Sequence, residues 1–165
     1  MSNESLTDLF EEGLKEIYYV EHQLVDALEE LADDVEDEEL RSSFEEHRDE
    51  TETHIERLEE VFEQIETSPE QAECHAVDGL IEDHDEFANS VTDQNVHELF
   101  DLAAAQKSEH LEIAAYGNLT FIADQLGHQE SADLLEENLR EEEDALNELK
   151  EQTEEYDVSS VPQEQ

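Results

Sequence analysis

Apolar residues recur along this chain at three- and four-residue spacings, the period of amphipathic helices. The first stripe runs Leu9, Phe10, Leu14, Ile17, Leu24, Leu28 and Leu31, with Ser5 placed to cap the free amides ahead of it. After an acidic break at Asp33 to Asp37, a second stripe reads Leu40, Phe44, His47, Thr51, His54, Leu58, Val61 and Ile65, and Thr67-Ser68-Pro69 ends it. A less regular segment through Cys74, Val77, Leu80, Ile81 and Phe87 predicts a crossover that holds a short helix. The third stripe is drawn through Val96, Leu99, Phe100, Ala103, Gln106, His110, Ile113, Ala114 and Gly117 toward Phe121, with Glu109 and Glu112 at its edges and Gly127 as its stop. The small residues Ala103, Ala104, Ala105, Ala114, Ala115 and Gly117 predict close approach of a neighbouring helix. Leu134, Leu135, Leu139, Ala145, Leu146 and Leu149 supply the fourth stripe. Both prolines, Pro69 and Pro162, lie outside the periodic segments. The expected architecture is all-α: a ferritin-like four-helix bundle over residues 1–156, made of two hairpins joined by a long crossover with a short helix, and then a flexible acidic tail at 157–165.

Each predicted long helix also places a glutamate near the middle of its length: Glu21, Glu50, Glu109 and Glu142. A carboxylate belongs in a packed core only if something there compensates its charge. Four such residues converging at one height read as a dinuclear iron or manganese site. The usual ligand set in such bundles is one Glu from each of two helices plus a Glu-x-x-His from each of the other two. This chain has no Glu-x-x-His; it offers His47-x-x-Glu50, Glu50-x-x-x-His54 and Glu109-His110-x-Glu112. His47, His54 and His110 therefore stand as alternative imidazole ligands, and each taken singly fits a hydrogen-bonded core histidine equally well. Carboxylate oxygens with one or two imidazoles favour iron or manganese over thiolate-held zinc. Cys74-His75 reads as an ordinary buried pair, His84 and His97 as solvent-facing, and Tyr18, Tyr19 and Tyr116 as packing residues.

Composition adds a constraint from outside the core. The chain carries 52 Asp and Glu against 7 Lys and Arg, a formal charge of -45. Such a balance resembles proteins of salt-loving organisms, because screening lengths shrink to about 3 Å near 1 M salt and the self-repulsion becomes tolerable. It argues against nucleic acid and anionic membrane surfaces as partners, since phosphate contacts need clustered Lys and Arg. No stretch approaches the roughly 18 apolar residues of a membrane span. The lone Cys74 has no internal disulfide partner, and Met1 to Thr7 show neither a basic nor an apolar leader. The expected setting is cytoplasmic.

Several segments carry a resemblance as well. Tyr19-Val20-Glu21-His22-Gln23-Leu24, His47-Arg48-Asp49-Glu50-Thr51, Cys74-His75-Ala76-Val77-Asp78-Gly79-Leu80-Ile81 and above all the run from Ala103 to Gly117 resemble the YciE/YciF-type proteins over roughly residues 5–152. The resemblance implies a ferritin-like helical bundle, a link to stress responses and a homodimer, and it supplies no reaction. By position, ferritin-like carboxylate sites place Glu21, Glu50, Glu109 and Glu142 as core ligands and Glu112 as an extra carboxylate. His54 falls one residue beyond the usual Glu-x-x-His position, about 100° further round the helix, which leaves His47 and His110 as its competitors. The expected function is a carboxylate-bridged dinuclear metal-binding protein in stress or oxidative defence, with peroxide or dioxygen as the small oxidant. The alternatives are a non-catalytic dimeric helical stress protein with a vestigial site, and a passive metal buffer.

Overall fold

The computed structural model describes residues 4–163. The chain forms α1 (Leu6–Asp34), α2 (Glu38–Gln64), α3 (His75–Ser90), α4 (Gln94–Leu126) and α5 (Gln129–Glu155), followed by a 3-10 turn at Val158–Ser160. Helices α1 and α2 form one antiparallel hairpin and α4 and α5 the other; α1 also packs on α4 and α2 on α5, which closes a four-helix ring. Helix α3 sits in the crossover, against α4 and α1. This is the ferritin-like arrangement. Of the boundaries expected from sequence, residues 1–3 and 164–165 lie outside the described residues.

Local chemistry sets the helix ends. Ser5 and Asp8 form a reciprocal capping box at the start of α1, and Asp37 accepts from the amides of Glu39 and Leu40 at the start of α2. Helices α2 and α4 finish with the same pair of bonds: Glu66 N donates to Glu63 O and Thr67 N to Phe62 O in one, Gly127 N to Asp124 O and His128 N to Ala123 O in the other. Both closures need a left-handed residue. Gly127 (φ 79°) takes that conformation freely, whereas at Glu66 (φ 55°) a side chain occupies it.

Inside the ring, two apolar layers enclose a polar one. Phe10, Leu14, Ile17, Leu58, Val61, Phe62, Tyr116, Leu119 and Leu135 build the first layer. Leu28, Leu31, Val35, Leu40, Phe44, Leu102 and Leu149 build the second. Full burial of each aliphatic side chain contributes about 1.5–3 kcal/mol, so these layers hold the polar level between them in place.

The stripes drawn on α1, α2 and α5 match the buried faces apart from Leu9, which is exposed, and a few residues at the margins. The stripe on α4 does not. Its buried face is Glu98, Asp101, Leu102, Ala105, Ser108, Glu109, Glu112, Tyr116, Leu119, Ile122 and Ala123. Ala103, His110, Ala114 and Phe121 point to solvent instead. The helix is rotated by about one residue, roughly 100°, relative to the sequence-based face. The reason is that its inward side carries so many polar groups that apolar periodicity tracks the wrong side. Gly117 lies on that misassigned side, and a Cβ there would meet nothing within 4 Å, so it serves no close helix approach.

Candidate metal centre

The polar layer gathers one carboxylate from α1 (Glu21), two from α4 (Glu109 and Glu112), one from α5 (Glu142) and one imidazole from α2 (His54), all with no exposed surface. His47, about two turns from His54 on α2, is 12% exposed. His54 Nδ1 lies 2.9 Å from Glu142 Oε1 and 3.4 Å from Glu21 Oε1. His47 Nε2 lies 2.6 Å from Glu109 Oε1 and 3.8 Å from Glu142 Oε2. Two ligand groups result, His47 with Glu109, Glu112 and Glu142, and Glu21 with His54 and Glu142. They share Glu142. Its two oxygens face different imidazoles, the disposition of a carboxylate that spans two ion positions.

The remaining sequence candidates fall outside this core. Glu50 sits at the rim, 34% exposed, with Oε2 3.4 Å from His47 Nδ1, and it joins His54 and Glu141 in a further ligand group at the edge of the core. His110 is turned to solvent and is not brought to the cluster, because it follows Glu109 by one residue on a helix whose inward face is the glutamate's own. The imidazoles in the layer are thus His47 and His54, both from α2.

An outer set of contacts orients these groups. Tyr116 Oη donates to Glu21, and Asn138 Nδ2 donates to Tyr116 Oη at 3.2 Å. His54 Nε2 pairs with Glu141 Oε2 at 2.8 Å, and Arg57 reaches Glu141 Oε1 at 3.0 Å and Asn138 Oδ1 at 2.9 Å. A ligand imidazole whose second nitrogen bonds a carboxylate is the usual outer-shell device at metal sites. Glu141, Arg57, Asn138 and Tyr116 escaped the sequence-based site. The available signal was the scarcity of cations: in so acidic a chain, an arginine within a periodic stretch is worth tracing to its partner.

Electrostatics define the metal-free state. Burial drives Glu112 well above the ordinary carboxylate range, and the neighbouring Glu142, Glu21 and Glu109 add to the effect. Burial likewise raises Glu142, to about 8, against the opposing pull of His54. Burial would lower both imidazoles, but the carboxylates around them outweigh it: His54 is pushed up to about 10 by Glu142 and Glu21, and His47 well above its usual value by Glu109 and its neighbours. Glu21, though raised by burial, is held low by His54 and by its hydrogen bonds. Without metal, the upward shifts of Glu112, Glu142, His47 and His54 all favour proton uptake by the cluster.

Protons do not satisfy every atom, however. Apart from the contacts of His47 with Glu109 Oε1 and of His54 with Glu142 Oε1, the oxygens of Glu109, Glu112 and Glu142 and Oε2 of Glu21 are buried without a hydrogen-bond partner. An unpaired buried polar atom costs about 1–3 kcal/mol, and more where it is charged. Several such atoms at one level fit cations of high coordination number, and the donor set of carboxylate oxygens with two imidazoles suits iron or manganese.

Residues 5–160 match the family described as Domain of unknown function (DUF892). The chain belongs to the DUF892 family. Within reach of this family match, the chain is 39% identical to Protein YciF of Escherichia coli over 143 residues, 86% of each sequence. It is also similar to the crystal structure of the E. coli stress protein YciF, with a TM-score of 0.87 and 37% identity over 91% of this chain and 95% of that one. YcfI from Rhodopseudomonas palustris gives a TM-score of 0.87 and 37% identity, covering 89% of this chain and 94% of that one. A protein from Xanthomonas campestris, 23% identical with a TM-score of 0.73 over 90% of both chains, shares the fold. The YciE/YciF resemblance therefore holds for this DUF892 member as a family relationship. Among its described residues no helix is long and apolar enough to cross a membrane.

Three histidine assignments change at a distance from this centre. His84 and His97, expected in solvent, are 15% and 16% exposed and face the fully buried Asp101. Cys74 is buried, whereas His75 is exposed and the two do not form a buried pair.

Proposed function

We propose that this protein is a carboxylate-bridged dinuclear metal-binding protein, loading iron or manganese and serving stress or oxidative defence. The observation that carries the proposal is the shared Glu142 between two buried ligand groups whose oxygens lack other partners. Glu21, His54, His47, Glu109, Glu112 and Glu142 would hold the ions, with Glu50 available at the rim. Two such ions, when bound, supply a two-electron couple suited to peroxide consumption or ferrous oxidation. The chain's own part is to exclude bulk water with the two apolar layers, to orient His54 through Glu141 and Arg57, and to hold Glu21 through the Tyr116 hydroxyl. The stress setting rests on the likeness to E. coli YciF, described as a stress protein. A homodimer, a cytoplasmic setting and adaptation to high salt belong to the same proposal; the last rests on the charge of -45.

One observation favours a second function, a non-catalytic helical stress protein with a vestigial site. The protonated pairs His54 with Glu21 and His47 with Glu109 give the metal-free cluster its own charge balance. Elemental analysis of protein purified in molar salt separates the two. The proposal expects about two iron or manganese ions per chain; less than about 0.2 per chain, unchanged after reconstitution with either metal, sinks it. Peroxide loss on the loaded protein then separates an enzyme from a metal buffer.

A further inference from the structure

The cluster at His84, His97 and Asp101 lies on α3 and α4, roughly 12 Å along α4 from Glu109 at 1.5 Å per residue. Asp101 is fully buried, and its Oδ2 has no hydrogen-bond partner. His97 Nε2 is also buried without one. His84 Nε2 lies 2.7 Å from Asp101 Oδ1 and His97 Nε2 lies 3.5 Å from the same atom. Three ligand atoms, two imidazole nitrogens and a carboxylate oxygen, thus fall within 4.8 Å of one another. Bonds of about 2.0–2.2 Å to a tetrahedral ion put its ligands roughly 3.3 Å apart, so small side-chain shifts would complete the coordination.

The surroundings match as well. The His84 ring lies near-parallel to Phe100, with centroids 5.8 Å apart and planes 20° apart, and Phe87 stacks on Phe100 with centroids 3.9 Å apart. His84 Nδ1 stands 3.4 Å from Asp85 Oδ1, a carboxylate placed to orient a ligand imidazole from behind. Partial exposure of both imidazoles leaves one side open to water, the disposition of a three-ligand site with a free fourth position.

We propose that His84, His97 and Asp101 form a second, mononuclear site for a divalent transition ion of the zinc type, which staples the crossover helix α3 to α4. Two imidazoles and one carboxylate distinguish it from the carboxylate-rich centre and favour zinc or cobalt over manganese. The competing account is a plain clamp in which His84 Nε2 donates to Asp101.

The test uses the full chain, stripped with chelator in molar KCl, in a His54→Ala/Glu109→Gln/Glu142→Gln background that removes the ligand groups of the central site. Its outcome is therefore independent of the proposed central function. Titration with Co2+ is expected to give one equivalent with the visible bands of a four- or five-coordinate ion, and His84→Ala or His97→Ala should weaken it by about 10-fold or more. Zn2+ should raise the thermal midpoint of the background protein and leave the His97→Ala version unchanged. Undiminished cobalt binding after either histidine substitution, or no binding in the background, overturns the site. Because those variants could loosen α3, the unmutated chain provides a second readout: Zn2+ should shift the ring nitrogen resonances of both His84 and His97. Rings that stay unmoved also overturn it.

Discussion

Glu98 and Glu109 stand three turns apart on the same helix, both buried, and they do opposite things. Glu98 sits at the end of the bundle and is fully partnered. Its Oε1 accepts from the amides of Glu36 at 2.8 Å and Asp37 at 3.2 Å, ahead of the N-terminus of α2, and its Oε2 accepts from Tyr156 Oη at 2.6 Å. A carboxylate there meets amides that want an anion. Glu109 sits at the middle level, where its Oε1 meets only the His47 imidazole at 2.6 Å and its Oε2 has no hydrogen-bond partner. Burial alone therefore does not mark a ligand; what separates the two regions is whether the protein has already spent the oxygens on its own donors.

Substitutions should expose that division. The largest expected effect is on metal: Glu142→Ala should abolish loading of the central site, whereas Glu98→Ala should leave metal per chain unchanged by elemental analysis. Stability should show the reverse ordering. Glu98→Ala removes charge-assisted bonds to two amides and a phenol and should cost about 2–3 kcal/mol in denaturant unfolding of the metal-free protein. Glu112→Gln, which replaces a carboxyl already held protonated, should change that stability by less than about 1 kcal/mol. Equal losses from the two variants would dissolve the distinction.

The pH dependence of the metal-free protein should carry opposite signs in the two regions. Burial raises Glu98, but the hydrogen bonds from Tyr156, Glu36, Asp37 and Gln94 outweigh it and hold its carboxyl low. Its contribution is present above the unfolded carboxylate value and is lost as pH falls through the depressed one. At the middle level Glu142 titrates near 8 and His54 near 10, both raised, so the folded form binds more protons than the unfolded chain. That stability is present at lower pH and is lost as pH rises through those values. Chemical unfolding of metal-free protein should show a decline that begins above the ordinary carboxylate value of about 4.5 and continues to about pH 10, and Glu112→Gln/Glu142→Gln should flatten its lower part. Metal loading should release about 2–4 protons per chain, read as acidification of a weakly buffered solution.

The smallest effect lies outside both regions and calibrates them. Glu66 holds the left-handed closure of α2 where Gly127 holds that of α4. Glu66→Gly should relieve the steric cost and remove an anion from a helix C-terminus, for a gain of about 0.5–1 kcal/mol in thermal or denaturant unfolding and no change in metal content.

How far the sequence carries depends on how a helix mixes its layers. Along α1 a single glutamate, Glu21, interrupts an otherwise leucine-rich face, so the stripe and its exception are both readable. Helix α2 is readable because His47, Thr51 and His54 continue the spacing set by Phe44 and Leu58. Helix α4 buries Glu98, Asp101, Ser108, Glu109 and Glu112 on one side and exposes Phe121 on another, so hydrophobicity no longer reports direction. Glu109 is legible as a mid-helix carboxylate despite the misplaced face, whereas His110 shares that face only on paper, since it points to solvent. Glu141 and Asp101 had no periodic signal at all; each is defined by a partner on another helix, Arg57 and His54 for one and His84 for the other.

The rim of the candidate metal centre is strongly acidic. A pocket of about 140 Å3 between α2 and α5 is lined by Ser43, Glu46, His47, Glu50, Glu141, Asp144 and Glu148 among others, and no lysine or arginine lines it. Any solute approaching His47 by this path meets five carboxylates first. Hydrated cations are drawn inward and anions, including superoxide and metal held by anionic chelators, are turned away. The lining of this pocket thus favours cations over anions at the edge of the candidate metal centre.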